Sequence, residues 1–278
     1  MLAVFLALGS AAGWGGADFL GGNATRRLPI LTVSLVSQAV GFAFVLGLVV
    51  SGWDGLPDAR TVILGLVGGC LGAVGLAALY SALAIGPMGV VAPMVALSVV
   101  VPVAAGFMNG ERPSPWQLVG VGAAIAGVVL AARPPSAGEA RVSSRAVWLA
   151  AVAAVCLGLL AVFLGRAGET DAFWAVLMVR IASLTLLGTA VLVRRPSFVM
   201  QTSQRVSLAS VGILDSGANL LFVLASQRGL LSLVAVVASL YPVTTVLLAR
   251  GVLGERLSRA QAAGVGLALV GIALIAVG

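Results

Sequence analysis

Two stretches of the sequence share one pattern: residues 110–117 read Gly-Glu-Arg-Pro-Ser-Pro-Trp-Gln, and residues 254–261 read Gly-Glu-Arg-Leu-Ser-Arg-Ala-Gln. The interval between them is about 144 residues, roughly half of a chain of 278 residues. An apolar run with glycines follows each stretch, and at the same shift Gly127 of the first run meets Gly271 of the second. Repetition at half the chain length indicates a duplicated unit.

The composition places this duplicated unit in a membrane. Hydrophobic residues make up 60% of the chain and charged residues 9%, against roughly 25% charged residues in soluble domains. The net charge of +7 comes from arginines scattered between apolar runs, without a dense basic stripe or interleaved aromatics. This pattern predicts loops beside anionic lipid and no nucleic acid as a partner.

The residue inventory argues against an enzyme. The chain has no histidine, its nine acids lie mostly outside the apolar runs, and its two cysteines, Cys70 and Cys156, each sit singly inside an apolar run. No catalytic residue, cofactor or metal ligand set is therefore predicted. No Gly-Lys-Ser or Gly-Lys-Thr follows a glycine run, so ATP drive is not supported. The first apolar run lacks a basic segment before it, which predicts an uncleaved helix.

Apolar runs long enough to cross a hydrocarbon core of about 30 Å, which needs roughly 20 helical residues, occur ten times. They lie at about 2–22, 30–51, 61–85, 88–109, 114–132, 145–165, 171–193, 206–226, 230–251 and 257–277. We therefore predict an all-α integral membrane protein with ten transmembrane helices.

The odd number of spans in each half sets their relative orientation. After five crossings the second copy enters the membrane from the opposite face, so we predict two inverted five-helix repeats, residues 1–138 and 139–278. Most of the loop arginines then fall on one face. The positive-inside rule places that face in the cytoplasm and both termini in the periplasm.

Three features resemble the drug/metabolite transporter superfamily: Trp14-Gly15 in the first span, a proline-interrupted fourth span, and Gly-Glu-Arg before a glycine-rich fifth span. More narrowly, the chain looks like the ten-helix carriers built from two EamA domains. The resemblance implies a carrier of the bacterial inner membrane that works by alternating access. It also implies export of small organic molecules, such as amino acids (aromatic and neutral ones included) or related metabolites. Because one chain contains both halves, we also predict that it acts as a single chain.

The alternative within the same superfamily is a proton-coupled carrier for drugs and toxic compounds. The chain departs from many relatives in having no lysine, so coupling through a lysine is not carried over. A channel is disfavoured because it usually needs a ring of polar groups from symmetric subunits, and this chain contains its own pair of halves.

Ionisable residues inside the spans are the main candidates for a substrate site. Arg180 lies deep in the seventh span, where insertion costs roughly 2.5–3.5 kcal/mol, and Gln38 is its approximate counterpart in the second span. Arg180 is either a clamp for a substrate carboxylate or a structural partner of Asp215. Asp215, with Asn219 one turn away, is either a site for a coupling proton or a substrate ammonium group, or structural. For Asp18 the favoured interpretation is a solvated carboxylate near a helix end.

Proline residues interrupt corresponding spans of the two halves. Pro93 and Pro102 lie in the fourth span, and Pro242 in the ninth falls opposite Ser98 at the 144-residue shift. Interior prolines kink helices, and broken helices at matching places point to a midplane site; packing is the alternative. Ser98 and Ser239 would supply hydroxyl groups there.

Three aromatic residues, Trp14, Tyr80 and Tyr241, lie within spans or beside the ninth-span proline. They form either a wall for an apolar or aromatic substrate or ordinary helix packing. We expect spans 1, 3 and 4 and spans 6, 8 and 9 to line the site, with spans 5 and 10 peripheral.

The shared seven-residue glycine spacing predicts that spans 5 and 10 pack on each other. The Gly-Glu-Arg elements are expected to cap helix ends or latch the two bundles, with Glu111 and Glu255 as the acids.

Overall fold

The computed structural model describes residues 1–25, 27–52, 55–85, 94–95, 97–131, 143–196, 198–253 and 259–277. These residues are helical and include no strand. The helices are α1 (Leu2–Thr25), α2 (Ile30–Ser51), α3 (Ala59–Ile85), α4 (Val100–Met108, preceded by a 3-10 turn at Leu97–Val99), α5 (Pro115–Ala131), α6 (Ser144–Ala167), α7 (Ala172–Arg194), α8 (Thr202–Ser226), α9 (Leu231–Ala238), α10 (Tyr241–Leu253) and α11 (Arg259–Val277).

Six of these helices, α1, α2, α3, α6, α7 and α8, are long and apolar enough to cross a membrane. The all-helical prediction is thus confirmed for the described residues. Outside the fourth and ninth spans, the helix bounds follow the predicted spans within a few residues. The predicted boundary between residues 138 and 139 lies outside the described residues and stays a prediction.

The predicted ninth span is not one helix. It divides into α9 and α10 at Ser239 and Leu240, directly before Tyr241 and Pro242. Proline has no N–H to donate and its ring clashes with the preceding turn, so a helix cannot run through it undisturbed. In the fourth span a 3-10 turn containing Ser98 precedes α4, whose third residue is Pro102, while Pro93 lies outside the described residues.

The two halves of the chain interleave, and their contacts occur in matched pairs. Helix α1 packs on α8, and its counterpart α6 packs on α3. In the same way α2 packs on α8 and α3 packs on α7. If each helix is replaced by its counterpart in the other half, the α1–α8 contact becomes the α6–α3 contact, and the α2–α8 contact becomes the α7–α3 contact. A two-fold arrangement requires such matched pairs.

Helices α5 and α11, the fifth and tenth predicted spans, pack backbone to backbone. A Cβ atom added at Gly127 would lie 2.5 Å from the Ala268 nitrogen, and one added at Gly271 would lie 2.6 Å from the Ala124 nitrogen. One at Gly120 would lie 2.8 Å from the Gly271 oxygen. Residues later in α5 contact residues earlier in α11, so the two helices are antiparallel. Their predicted packing is confirmed.

Glu111 joins the first half to the second. Its Oε1 accepts a hydrogen bond from the Leu231 nitrogen at 2.8 Å, and its Oε2 accepts one from the Ser232 nitrogen at 3.1 Å. These N–H groups begin α9 and lack partners within that helix, so the carboxylate caps it. Gly106 leaves the space that this carboxylate occupies. The predicted capping is confirmed for Glu111, while Glu255 lies outside the described residues.

Hydrogen bonds also fix the start of α3 against the end of α6. The Thr61 hydroxyl donates to the Ala167 oxygen at 3.0 Å. Asp58, just before α3, accepts the Thr61 backbone N–H at 2.6 Å. This hydrogen bond from the Thr61 backbone lowers the pKa of Asp58, because it stabilises the charged carboxylate.

Replacing Gly127 by valine tests the close approach of α5 and α11. The added side chain has no room beside Ala268, so Gly127→Val should lower the free energy of unfolding by about 1–3 kcal/mol. Thermal unfolding of the detergent-solubilised protein measures the effect.

Gly122→Val is the matched control, because nothing lies within 4 Å of a Cβ added at Gly122 on the same helix. We expect its unfolding free energy to stay within about 0.5 kcal/mol of the parent value. Equal effects of the two valines would contradict the described packing.

Candidate functional site

A cavity of about 170 Å³ lies among the interleaved helices of the two halves. Its lining comes from α1, α2, α3, α4 with the turn before it, and α6 to α10. In the described part of the chain, α5 and α11 contribute nothing to it. The sequence analysis correctly expected these two helices to lie outside the lining. Its list of lining spans left out α2 and α7, although Gln38 and Arg180 on these helices were predicted site residues.

Arg180 is the central charged residue of the cavity and is only 3% exposed. Its Nη1 lies 2.7 Å from Asp215 Oδ2 and donates a hydrogen bond to Gln38 Oε1 at 2.6 Å. The same Gln38 oxygen accepts a hydrogen bond from the Ser183 hydroxyl at 3.0 Å. The ion pair between Arg180 and Asp215 that the sequence offered as a structural role is therefore present, and a role in substrate binding stays a prediction.

The rest of the Arg180 guanidinium is unsatisfied. Its Nε and Nη2 atoms are buried and have no hydrogen-bond partner among the described residues, and the same holds for the Ser216 hydroxyl. A buried N–H group without a partner is costly. The free N–H groups of Arg180 therefore indicate that a ligand or a second conformation of the protein supplies their partners.

Gly41 leaves space for the Ser216 hydroxyl and the Arg180 guanidinium. A Cβ atom there would collide with the Ser216 hydroxyl and would lie 3.6 Å from Arg180 Nε. Gly212 of α8 lies equally close to α2, because a Cβ atom on it would meet the Ser37 oxygen. These glycines let α2 and α8 pack closely. Gln38 on α2 and Asp215 on α8 therefore both reach the guanidinium of Arg180. The sequence analysis did not single out Gly41, Gly212 or Ser216.

Asp18 lies half-buried in the cavity lining beside Trp14 on α1, and its predicted place near the end of the helix is wrong. Helix α1 continues to Thr25, which leaves Asp18 about two turns inside the helix. A neighbouring helix also covers this segment: a Cβ atom at Gly15 would lie 2.5 Å from the Tyr241 oxygen, and the Thr245 hydroxyl donates to the Gly15 oxygen at 3.1 Å.

Aromatic rings line one part of the cavity. Trp14 and Phe222 lie with ring centroids 5.6 Å apart and ring planes inclined at 38°, and Tyr241 also contributes to the lining. Phe222 was not predicted, because one phenylalanine in an apolar span carries no signal of its own. The side chain of Tyr80 lies outside what the structure describes.

The remaining predicted residues supply polar groups. Ser98, Asn219 and Ser239 line the cavity. The Asn219 amide donates to the backbone oxygen of Asp215 at 2.9 Å, and the Ser239 hydroxyl donates to the Val236 oxygen at 2.7 Å. Thus each predicted site residue whose side chain the structure describes lies on this cavity, and their role in binding stays a prediction.

Helices α3 and α6 give the cavity its apolar surface, through Leu76, Leu79, Leu157 and Leu160. The charged groups come from other helices: Asp18 from α1, Arg180 from α7 and Asp215 from α8. The cavity therefore combines a charged region with an apolar and aromatic one, which suits a small molecule with a charged end and an apolar body.

Comparison with known proteins agrees with this architecture. The model of the EamA-like transporter family matches the chain twice, at residues 1–133 and 144–277. A solved structure titled "Crystal structure of protein" has a TM-score of 0.84 and 21% sequence identity, and covers 99% of this chain and 98% of its own; that likeness shows a shared fold. No curated protein matches the chain. With the two matches spanning nearly all of a chain rich in apolar helices, the protein is a multi-pass membrane protein and belongs to the EamA-like transporter family.

Proposed function

We propose that this protein is a secondary transporter that exports small organic molecules, in particular amino acids (aromatic and neutral ones included) or related metabolites. The observation that carries the proposal is a buried arginine in the cavity lining, Arg180, whose Nη1 contacts both Asp215 and Gln38. Its Nε and Nη2 have no hydrogen-bond partner in the part of the chain that the structure describes. Transport through this cavity needs no catalytic residue, cofactor or metal.

The free atoms of Arg180 favour a carboxylate as the ligand. Nε and Nη2 share one edge of the planar guanidinium, and such an edge binds both oxygens of a carboxylate. Both atoms are buried in this state. A substrate carboxylate would reach them after the helices around the cavity move, which is consistent with a carrier that has more than one conformation.

The apolar part of the cavity favours a substrate with an apolar or aromatic body. Burial of an aromatic ring against Trp14, Phe222 and Tyr241 would add area-dependent stabilisation to the charged contacts. A carboxylate next to such a body is the chemistry of a neutral amino acid, which is why we place amino acids first among the substrates.

We infer that the two halves are inverted repeats that move against each other by alternating access. The antiparallel packing of α5 on α11 and the exchange-related helix contacts support an axis in the membrane plane. The capping of α9 by Glu111 would then be one contact that changes between the two states. One chain holds both halves, so we propose that it acts alone.

The second candidate is a proton-coupled carrier for drugs and toxic compounds. The presence of two acids, Asp18 and Asp215, in a largely apolar lining favours it. The two candidates differ in the substrate. An apolar cation without a carboxylate would not bind the free Nε and Nη2 edge of Arg180.

Removing the Arg180 guanidinium tests the main candidate. Counterflow of radiolabelled amino acids, phenylalanine among them, is measured in proteoliposomes with and without a pH gradient. Arg180→Gln should lower counterflow roughly 10- to 100-fold, as expected for the loss of hydrogen bonds between charged groups. Arg180→Lys should also fall well below the parent, because an ammonium group lacks the paired N–H edge.

Arg60→Gln is the control, because it removes an arginine that is exposed and paired with Glu169 at 2.7 Å. It should transport at the parent rate. If Arg180→Gln matches this control, the carboxylate clamp is wrong.

For localisation we propose the bacterial inner membrane with both termini in the periplasm. In a variant without Cys70 and Cys156, a cysteine at Leu2 should react with an impermeant maleimide added from the periplasmic side. A cysteine at Ser143, before α6, should react from the cytoplasmic side. Labelling of residue 2 from the cytoplasm alone would reverse the topology.

A further inference from the structure

The charges that the described residues contribute to the cavity lining do not balance. Two carboxyl groups, Asp18 and Asp215, and one guanidinium, Arg180, belong to its lining. Arg180 lies 2.7 Å from Asp215, so that pair is neutral as a whole. Asp18 has no hydrogen bond or ion pair among the described residues, and the second acid, Asp215, lines the same cavity.

No other described group compensates Asp18. Helix α1 packs on α2, α8, α9 and α10. Described side chains that titrate or carry charge on these helices are Asp215 and the exposed Arg205 on α8, and Tyr241 on α10, while α2 and α9 have none. Tyr241 lines the same cavity as Asp18 but carries no positive charge.

Asp18 is half-buried in a largely apolar lining, and an ionised carboxylate without a counter-charge is costly there. We propose that the cavity holds one exchangeable positive charge opposite Asp18: a proton when the cavity is empty, and the cationic group of the substrate when it is loaded. The proposal rests on the proposed transport function and adds to it a proton site on α1, at a residue distinct from the Arg180–Asp215 pair.

The exchange balances in charge for a monocation. When its ammonium group arrives at Asp18, the proton leaves the carboxyl group for water, and the total charge of the cavity is unchanged. A zwitterion displaces the same proton but also brings a carboxylate to Arg180, so the cavity becomes more negative by one charge. Either substrate therefore releases one proton on binding, whereas a carboxylate without a cationic group releases none. Transport of a zwitterion would then run against a proton, and a proton gradient would drive its export from a cell.

Infrared spectroscopy of the substrate-free protein tests the proton directly, since a protonated carboxyl group has a carbonyl stretching band that a carboxylate lacks. At neutral pH the parent protein should show such a band. Asp18→Asn should lose it, and Asp18→Glu should retain it because the acid is restored. Asp171→Asn is the control: Asp171 caps α7 with hydrogen bonds from Phe173 and Trp174, and its replacement should leave the band in place.

Proton release on ligand addition tests the exchange. With a pH indicator in weakly buffered detergent solution, 2-phenylethylammonium should release about one proton per bound molecule from the parent and none from Asp18→Asn. The matched anion, 3-phenylpropanoate, should release none from either. A parent without the infrared band, or a band that survives in Asp18→Asn, overturns the proposal.

The two proposals fail separately. If the parent shows no amino acid counterflow but keeps the infrared band of Asp18, the proposed function is wrong and the proton site stands. Conversely, counterflow that keeps its full dependence on a pH gradient in Asp18→Asn would reject the proton site and leave the carrier intact. Unchanged gel-filtration and unfolding profiles of Asp18→Asn exclude misfolding as the cause of a lost band.

Discussion

The contact of Arg180 with Asp215 and Gln38 is the interaction on which the rest of the site depends. A guanidinium that is 3% exposed in an apolar helix bundle is stable only with partners, and breaking a buried pair costs about 3–5 kcal/mol. The partners come from different helices, Gln38 from α2 and Asp215 from α8. This contact therefore joins both halves of the chain at the cavity and fixes the position of the unpartnered Nε and Nη2 atoms.

Close approach of the helices is the condition for that contact. Gly41 and Gly212 let α2 and α8 meet at their backbones, and Gly15 does the same for α1 and α10. Without these approaches, side chains as short as those of Asp18 and Asp215 would not lie on one cavity with Arg180. The glycines are thus as much a part of the site as the charged residues, although they carry no chemistry.

Much of this arrangement could be predicted from the sequence, because the membrane simplifies the problem. Ten apolar runs, a repeat at half length and a buried arginine are visible in the residues, and Gln38 was identified only through that repeat. One error has a physical cause: Asp18 was assigned to a helix end because the polar Asn23-Ala24-Thr25 segment suggests an earlier end than the structure has. The interruption of the ninth span beside Pro242 was predicted, but its position at Ser239 depends on how far Pro242 disturbs the preceding turn, which no local pattern specifies.

The most direct measurement of the central contact is a double-mutant cycle on Arg180→Gln and Asp215→Asn, read as free energy of unfolding in detergent. Asp215→Asn leaves the buried Arg180 guanidinium without its ion-pair partner, and Arg180→Gln leaves the half-buried Asp215 carboxylate unpaired; the double change removes both charges. The account predicts that the double variant loses about 1–3 kcal/mol less than the sum of the single variants. Losses that add within about 0.5 kcal/mol would contradict a site organised around this ion pair.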